Sequence, residues 1–204
     1  MTRLGLLGDP HARVDPVAEA LAIFAREQVD AIWCTGDVVG YGAQAQQVIE
    51  LLQQAGVCTI RGNHELWLLD EEDAGISASV TDYLAALPGV IEAEIEGKQV
   101  YMVHASPPQS VTDGIRLLAL DGEVIDAQRR YWSARLAGFN PDVLIVGHTH
   151  QVYAEALGHT LVINPGSSWF NHSCAVLSLP ELQVQWFALS GQAISKTWYW
   201  GMPD

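Results

Sequence analysis

The sequence predicts an α/β protein built as a four-layer αββα sandwich, two facing mixed sheets with helices outside. Three observations carry that prediction. Up to Ile60, short apolar runs alternate with amphipathic helical segments, which argues for parallel strands with helices packed on them. From Val90 onward the texture changes to hairpin-like and strand-like runs. Polar motifs rich in Asp, Asn and His stand where apolar runs end, the position at which open α/β sheets place their ligands.

Arg3 to Leu7 is the first apolar run and reads as a strand. Val14 to Val29 follows as a helix, with Val17, Leu21, Phe24 and Ala25 at helical spacing. Ala31 to Cys34 reads as a strand, Ala45 to Ala55 as a helix stopped at Gly56, and Val57 to Ile60 as a third strand. Glu65 to Leu69 and Val80 to Leu87 are short helices on either side of the polar stretch Asp70 to Ser79. Val90 to Glu96 and Gln99 to Val103 form a hairpin across Gly97-Lys98. Glu123 to Leu136 is helical, and Val143 to Val146 is a strand. Val152 to Leu189 is a string of short strands broken at Gly158, Pro165-Gly166 and Pro180-Glu181. With 204 residues, 49% of them hydrophobic, and no internal repeat or linker, the chain reads as one domain over 1–204 without a cap domain.

The net charge of −14 argues against a general nucleic-acid surface and against an anionic membrane surface. No apolar run approaches the length of a membrane span. Cys34, Cys58 and Cys174 lie in apolar stretches without a Cys-x-x-Cys spacing, and read as small buried thiols in a reducing cytoplasm. A candidate ligand already at Asp9 leaves no room for a signal peptide.

The motifs, in order, are Gly8-Asp9-Pro10-His11, Gly36-Asp37, Gly62-Asn63-His64-Glu65, His104 and Gly147-His148-Thr149-His150. Asp9 and His11, and again His148 and His150, are two residues apart, a spacing that on an extended backbone turns both side chains one way. Carboxylate and imidazole together suit a borderline divalent cation. Each piece also has an ordinary reading. Gly-Asp is a common turn, Asn63 with Glu65 suits a helix N-cap and first turn, and a lone His104 after a buried strand is most often structural. His159 reads as a solvated turn residue.

Taken together, the ordered set resembles the calcineurin-like metallophosphoesterases, whose pattern runs Asp-x-His, Gly-Asp, Gly-Asn-His-Asp/Glu, a lone His and Gly-His-x-His. The resemblance spans most of the chain and implies the same sandwich fold. It also implies two divalent metal ions, manganese first, with iron, nickel or zinc as alternatives. By the same resemblance Asp9, His11, Asp37 and His150 hold one ion, and Asp37, Asn63, His104 and His148 the other. Asp37 then bridges ions roughly 3.5–4 Å apart, and a water activated between them attacks phosphorus while His64 protonates the leaving oxygen. Less the charges of Asp9 and Asp37, two such ions leave the site at about +2, enough to attract a phosphate locally.

Where protein serine/threonine phosphatases of the superfamily continue with Asp-Arg-Gly, this chain has Gly40-Tyr41-Gly42, so the phosphate-gripping Arg and the Asp that orients the catalytic His are both absent. Arg61 is the remaining candidate for a phosphate contact, with an ordinary surface role as its alternative. Asn164-Pro165-Gly166-Ser167 matches a turn that relatives often carry near the site, without the basic residue that frequently follows it. The chain is therefore more similar to the compact bacterial and archaeal phosphodiesterases than to the phosphoprotein phosphatases. It implies a small or nucleotide phosphodiester as substrate, with a phosphomonoesterase as one alternative. A non-catalytic metal-binding scaffold, as in the retromer subunit of this architecture, is the other. The aromatic tail Lys196-Thr197-Trp198-Tyr199-Trp200 is expected to pack on the chain's own sheet.

Overall fold

The computed structural model describes residues 1–71 and 75–199. The first sheet is laid down by the β-α-β-α-β run. Strand β1 (Thr2–Leu7) pairs in parallel with β2 (Ala31–Cys34), and β2 with β3 (Cys58–Thr59). Helices α1 (Val14–Arg26) and α2 (Ala45–Gln54) make the two crossovers. Helices α3 (Asn63–Asp70) and α4 (Ala78–Ala86) then lead into the second sheet. There β4 (Val90–Ile95) and β5 (Lys98–Val103) form the expected hairpin. After helix α5 (Asp126–Arg135), strand β6 (Val143–Ile145) lies parallel to β5. Strands β7 (Val152–Leu157) and β8 (Thr160–Pro165) complete that sheet in the order β4-β5-β6-β8-β7. The chain then returns, and β9 (Ser173–Leu179) and β10 (Gln183–Ala188) extend the first sheet to β10-β9-β1-β2-β3.

The period of two along the strands sorts side chains into three apolar layers. Leu4 and Leu6 of β1 point between the sheets, where they meet Met102, Ile145, Ile163 and Leu177. Leu7, Cys34 and Val176 face the other way, toward Val17, Phe24, Val48 and Leu52 of α1 and α2. Tyr101, Val103 and Leu144 cover the far face of the second sheet under Trp132 and Leu136. Two sheets between two helical layers are the sandwich expected from the sequence. Each fully buried Leu or Phe contributes about 1.5–3 kcal/mol. At Gly5, α1 approaches so closely that a Cβ would sit 3.0 Å from the Phe24 ring.

The boundaries differ from the sequence reading in instructive places. Helix α1 stops at Arg26 rather than Val29 because Gln28 takes a left-handed φ of 54° and Val29 N–H returns to Phe24 O at 3.1 Å. That is a helix-ending turn usually made with glycine, as α2 makes it at Gly56, so Gln28 gave no signal. Helix α3 begins at Asn63 with Gly62 as its N-cap, two residues before the expected start, so Asn63 is not the cap. Cys34 and Cys174 are buried as expected, but Cys58 is exposed, because the run Val57 to Ile60 forms only a two-residue edge strand. His159 is exposed in the β7–β8 turn. No helix among the described residues is long and apolar enough to cross a membrane. Residues 72–74, within the polar stretch, and Trp200 of the tail lie outside the described residues.

Candidate metal centre

All five motifs meet along one edge of the sandwich. Loops after β1, β2 and β3 bring Asp9, His11, Asp37 and Asn63 from the first sheet; loops after β5 and β6 bring His104, His148 and His150 from the second. Every one of these strands is parallel to its neighbour among them within its sheet, so their carboxyl ends share an edge. Six of the seven side chains are buried and His148 is half-buried.

One group forms around Asn63. Its Oδ1 lies 3.0 Å from His104 Nε2 and 2.9 Å from His148 Nδ1. The same His104 Nε2 is 3.3 Å from Asp37 Oδ2. On its other side, His104 Nδ1 donates to Thr35 O at 2.7 Å, which leaves the Nε2 position facing two oxygens. Such a position calls for positive charge, supplied by a proton or by a metal ion. Burial works to lower the His104 imidazole, but the Asp37 carboxylate outweighs it and raises His104 to about 10. Burial likewise works to raise Asp37, and the neighbouring His104 holds it below the usual carboxylate range instead. Burial pushes His148 down to about 4.

The second group is Asp9, His11 and His150. His11 Nε2 and His150 Nε2 are 2.9 Å apart, and Asp9 Oδ2 is 3.4 Å from His150 Nε2. With His11 Nδ1 turned to Val39 O at 3.3 Å, its Nε2 lone pair is left for the cluster. Burial lowers both imidazoles, His11 to about 4, and raises Asp9 to about 7. Asp37 stands between the groups, its carboxylate within 4.8 Å of ligand atoms of His104 and His148 on one side and of His11 and His64 on the other. Nitrogen and oxygen donors converging in two sets on a shared carboxylate fit a pair of divalent cations.

The backbone here is held in conformations that cost energy. Asp9, His11, Asp37, His148 and His150 all have positive φ, between 33° and 64°. Each such non-glycine residue costs on the order of 1–3 kcal/mol and persists only where its surroundings enforce it. The extended geometry expected for Asp9-x-His11 and His148-x-His150 is therefore corrected. The chain turns sharply at these strand ends, and His148 and His150 go to different groups. Strain is enforced by a polar shell that sequence reasoning did not assign. Glu65, fully buried, accepts backbone N–H bonds from Asp37 at 2.9 Å, Val39 at 3.1 Å and Gly62 at 2.7 Å, tying two ligand loops together. Thr35 Oγ1 donates to Asp9 Oδ1 at 2.7 Å, Ser167 Oγ to Asp9 O at 2.7 Å, and Asn171 Nδ2 to His150 O at 3.0 Å. The Asn164 amide donates to Gly147 O at 2.9 Å, which puts the Asn-Pro-Gly-Ser turn directly under the site. A cluster of Asn and Ser after an apolar strand was the available signal.

The model of the calcineurin-like phosphoesterase superfamily domain matches residues 2–179, most of the chain. The chain belongs to this superfamily. It is 23% identical over 193 residues to an uncharacterised protein of Methanocaldococcus jannaschii, covering 87% of this chain and 74% of that one. Its fold is similar to that of a hypothetical protein from Pyrococcus horikoshii OT3, with TM-score 0.76 and 16% identity over 93% of this chain and 88% of the other. It is similar also to a structure described as a novel archaeal phosphodiesterase, with TM-score 0.61 and 20% identity over 92% of this chain and all of that one.

Within the superfamily, the stretch Gly40-Tyr41-Gly42 has a physical explanation. A Cβ on Gly40 would lie 2.7 Å from His64 Nδ1 and 2.9 Å from His11 Nδ1, and φ there is +127°. This backbone has no space for the Asp of the phosphatase motif. His64 is instead flanked by the rings of Tyr41 and Trp67, each 4.8 Å away, and its backbone N–H donates to Asp37 Oδ1 at 3.0 Å. Burial lowers the His64 imidazole, and the Asp37 charge is what opposes that. Arg61 is half-buried on the strand-helix loop, with its N–H bonded to Pro88 O at 2.8 Å. A second cation, Arg116, was not singled out from sequence; it is exposed, and its charge adds to the lowering of His148. The tail folds back on the chain. Thr197 bridges Gln151, Trp198 N–H donates to His150 O at 3.0 Å, and the Trp198 ring stacks on Phe170 at 3.9 Å beside His150.

Proposed function

We propose that this phosphoesterase is a two-metal phosphodiesterase acting on a small or nucleotide diester, with manganese the preferred ion and iron, nickel or zinc as substitutes. The observation that carries the proposal is the pair of donor groups sharing Asp37, beside a cleft into which His64 faces. Two divalent cations bound there supply Lewis acidity and an activated water, the chemistry a phosphoester needs at neutral pH. Asp9, His11, Asp37 and His150 would hold one ion, and Asp37, Asn63, His104 and His148 the other. His64 gives its proton to the departing oxygen, worth about 10²–10⁴-fold in rate. Arg61 and Arg116 provide local positive charge in a chain of net charge −14, which disfavours duplex nucleic acid and anionic membranes as partners. The likeness to a structure described as an archaeal phosphodiesterase supports a diester. So does Tyr41, which stands where the phosphatase motif carries the guanidinium that clamps a monoester dianion. The cytoplasm, with reduced thiols, is the proposed compartment.

The test is a panel of bis(p-nitrophenyl) phosphate, phosphomonoesters and phosphoserine peptides, each with manganese, nickel, iron and zinc, with metal content measured in parallel. Metal-dependent diester turnover with little phosphopeptide turnover is expected. Strong phosphopeptide turnover beside a silent diester assay overturns the substrate class. Two bound ions with no turnover on any phosphoester favours the scaffold reading.

A further inference from the structure

We infer that the cleft beside His64 receives the leaving arm of the substrate and that this arm is an uncharged, flat aromatic group, in biological form a nucleoside attached through a single phosphate. This rests on the proposed role of His64 and deepens it. The cleft has a volume of about 460 Å³, within the range of sites that enclose a small organic ligand. Its walls are Tyr41, Trp67, Leu68 and Ile76, with His64 at the end toward the metal centre. Trp67 is 57% exposed, a large apolar ring left open at the wall of the cleft. It is held in place on the imidazole, 4.8 Å between centroids, and so presents its remaining face to whatever enters.

Charge narrows the occupant. Among the described residues lining the cleft, Glu71 is the only carboxylate and none is Lys or Arg. A leaving arm carrying further phosphates would place anionic charge against that carboxylate without a cation to meet it. A nucleoside carries none, stacks on an indole or phenol ring, and offers amines and hydroxyls that a carboxylate can accept. The cations near the centre lie elsewhere. Arg116 acts on His148 and borders a separate cleft with Trp198 and Tyr199. In the reaction implied, water adds to phosphorus and the P–O bond to the nucleoside breaks. The departing oxygen takes the His64 proton, and a proton from the water passes to His64 or solvent. The products are a phosphomonoester and a free nucleoside.

The experiment compares wild type, Trp67→Phe and Trp67→Ala in two readouts. The first is binding of adenosine alone, by saturation-transfer NMR without added metal. Adenosine is expected to bind wild type and Trp67→Phe, and to bind Trp67→Ala about ten-fold more weakly, the size of a lost base–aromatic stack. The second is turnover of adenylyl-adenosine, glycerophosphoethanolamine and diadenosine tetraphosphate with manganese. Trp67→Ala is expected to lower kcat/KM for the dinucleoside monophosphate about ten-fold more than for the glycerol diester, with the tetraphosphate the poorest substrate of wild type. Equal adenosine affinity in all three proteins overturns the inference, as does a tetraphosphate preferred to the monophosphate. Absence of turnover on every ester, with adenosine binding still dependent on Trp67, overturns the hydrolase reading while supporting the nucleoside site.

Discussion

Replacing Gly40 by alanine tests whether the ligand loops are as tightly set as the geometry implies. The new Cβ would stand 2.7 Å from His64 Nδ1 and 2.9 Å from His11 Nδ1, distances at which something must move. His11 is fully buried and cannot yield outward, so the loop or His64 must shift. Alanine at φ +127° costs about 1–3 kcal/mol in backbone strain. Displacing a packed ring costs about 1–3 kcal/mol more. Together they predict about 2–6 kcal/mol of lost stability, read as a lower urea midpoint with unchanged slope. Activity on bis(p-nitrophenyl) phosphate should fall by about 10²-fold, as expected when a reacting group is misplaced by about 1 Å. Gly138→Ala is the control, since a Cβ there meets nothing within 4 Å and the residue is not in the left-handed region. A Gly40→Ala protein with the wild-type urea midpoint and wild-type turnover would refute the argument.

Three further outcomes are expected. Asp37→Asn should lose more metal on dialysis and more activity than Asp9→Asn, because Asp37 borders both donor groups and Asp9 only one; equal losses, measured by elemental analysis and initial rates, would show that Asp37 does not bridge. His64→Ala should keep the metal content of wild type while slowing esters with poor leaving groups far more than p-nitrophenyl esters; uniform slowing would remove His64 from proton donation. One thiol per chain should react with a disulfide reagent in the native protein and three after denaturation. Cys58 is exposed, whereas burial holds Cys34 far above the usual thiol range and pushes Cys174 up to about 12. Three fast native thiols would mean that the first sheet opens readily.

Much of the architecture was legible because period and punctuation agree. Ala31–Cys34 matches the sequence reading at both ends, and α2 ends within one residue of it because Gly56 marks its stop. Where punctuation is silent, as at Gln28, the boundary was missed: any residue can occupy a left-handed position if the return hydrogen bond compensates, and nothing in its side chain announces it. Cys58 was misplaced for a related reason. An apolar neighbourhood in sequence does not tell whether a strand is central or at an edge, and β3 is the last strand of its sheet.

The sequence by itself determined which side chains stand at strand ends and in what order, since an apolar run closed by Gly and a carboxylate or imidazole is a local pattern. The local pattern did not determine how those side chains divide between two positions, a division the sequence supplied only through its resemblance to a known family. His148 and His150 are two residues apart yet join different groups, and His150 meets Asp9 across 141 positions of chain. That division depends on two sheets packing through Leu6, Met102 and Ile145 so that their carboxyl edges coincide, and on Glu65, Thr35 and Ser167 holding the loops in left-handed turns. Both are long-range effects. Backbone conformations costing on the order of 1–3 kcal/mol each are stable only when distant hydrogen bonds and a completed core enforce them, and those exist only after the whole chain has folded.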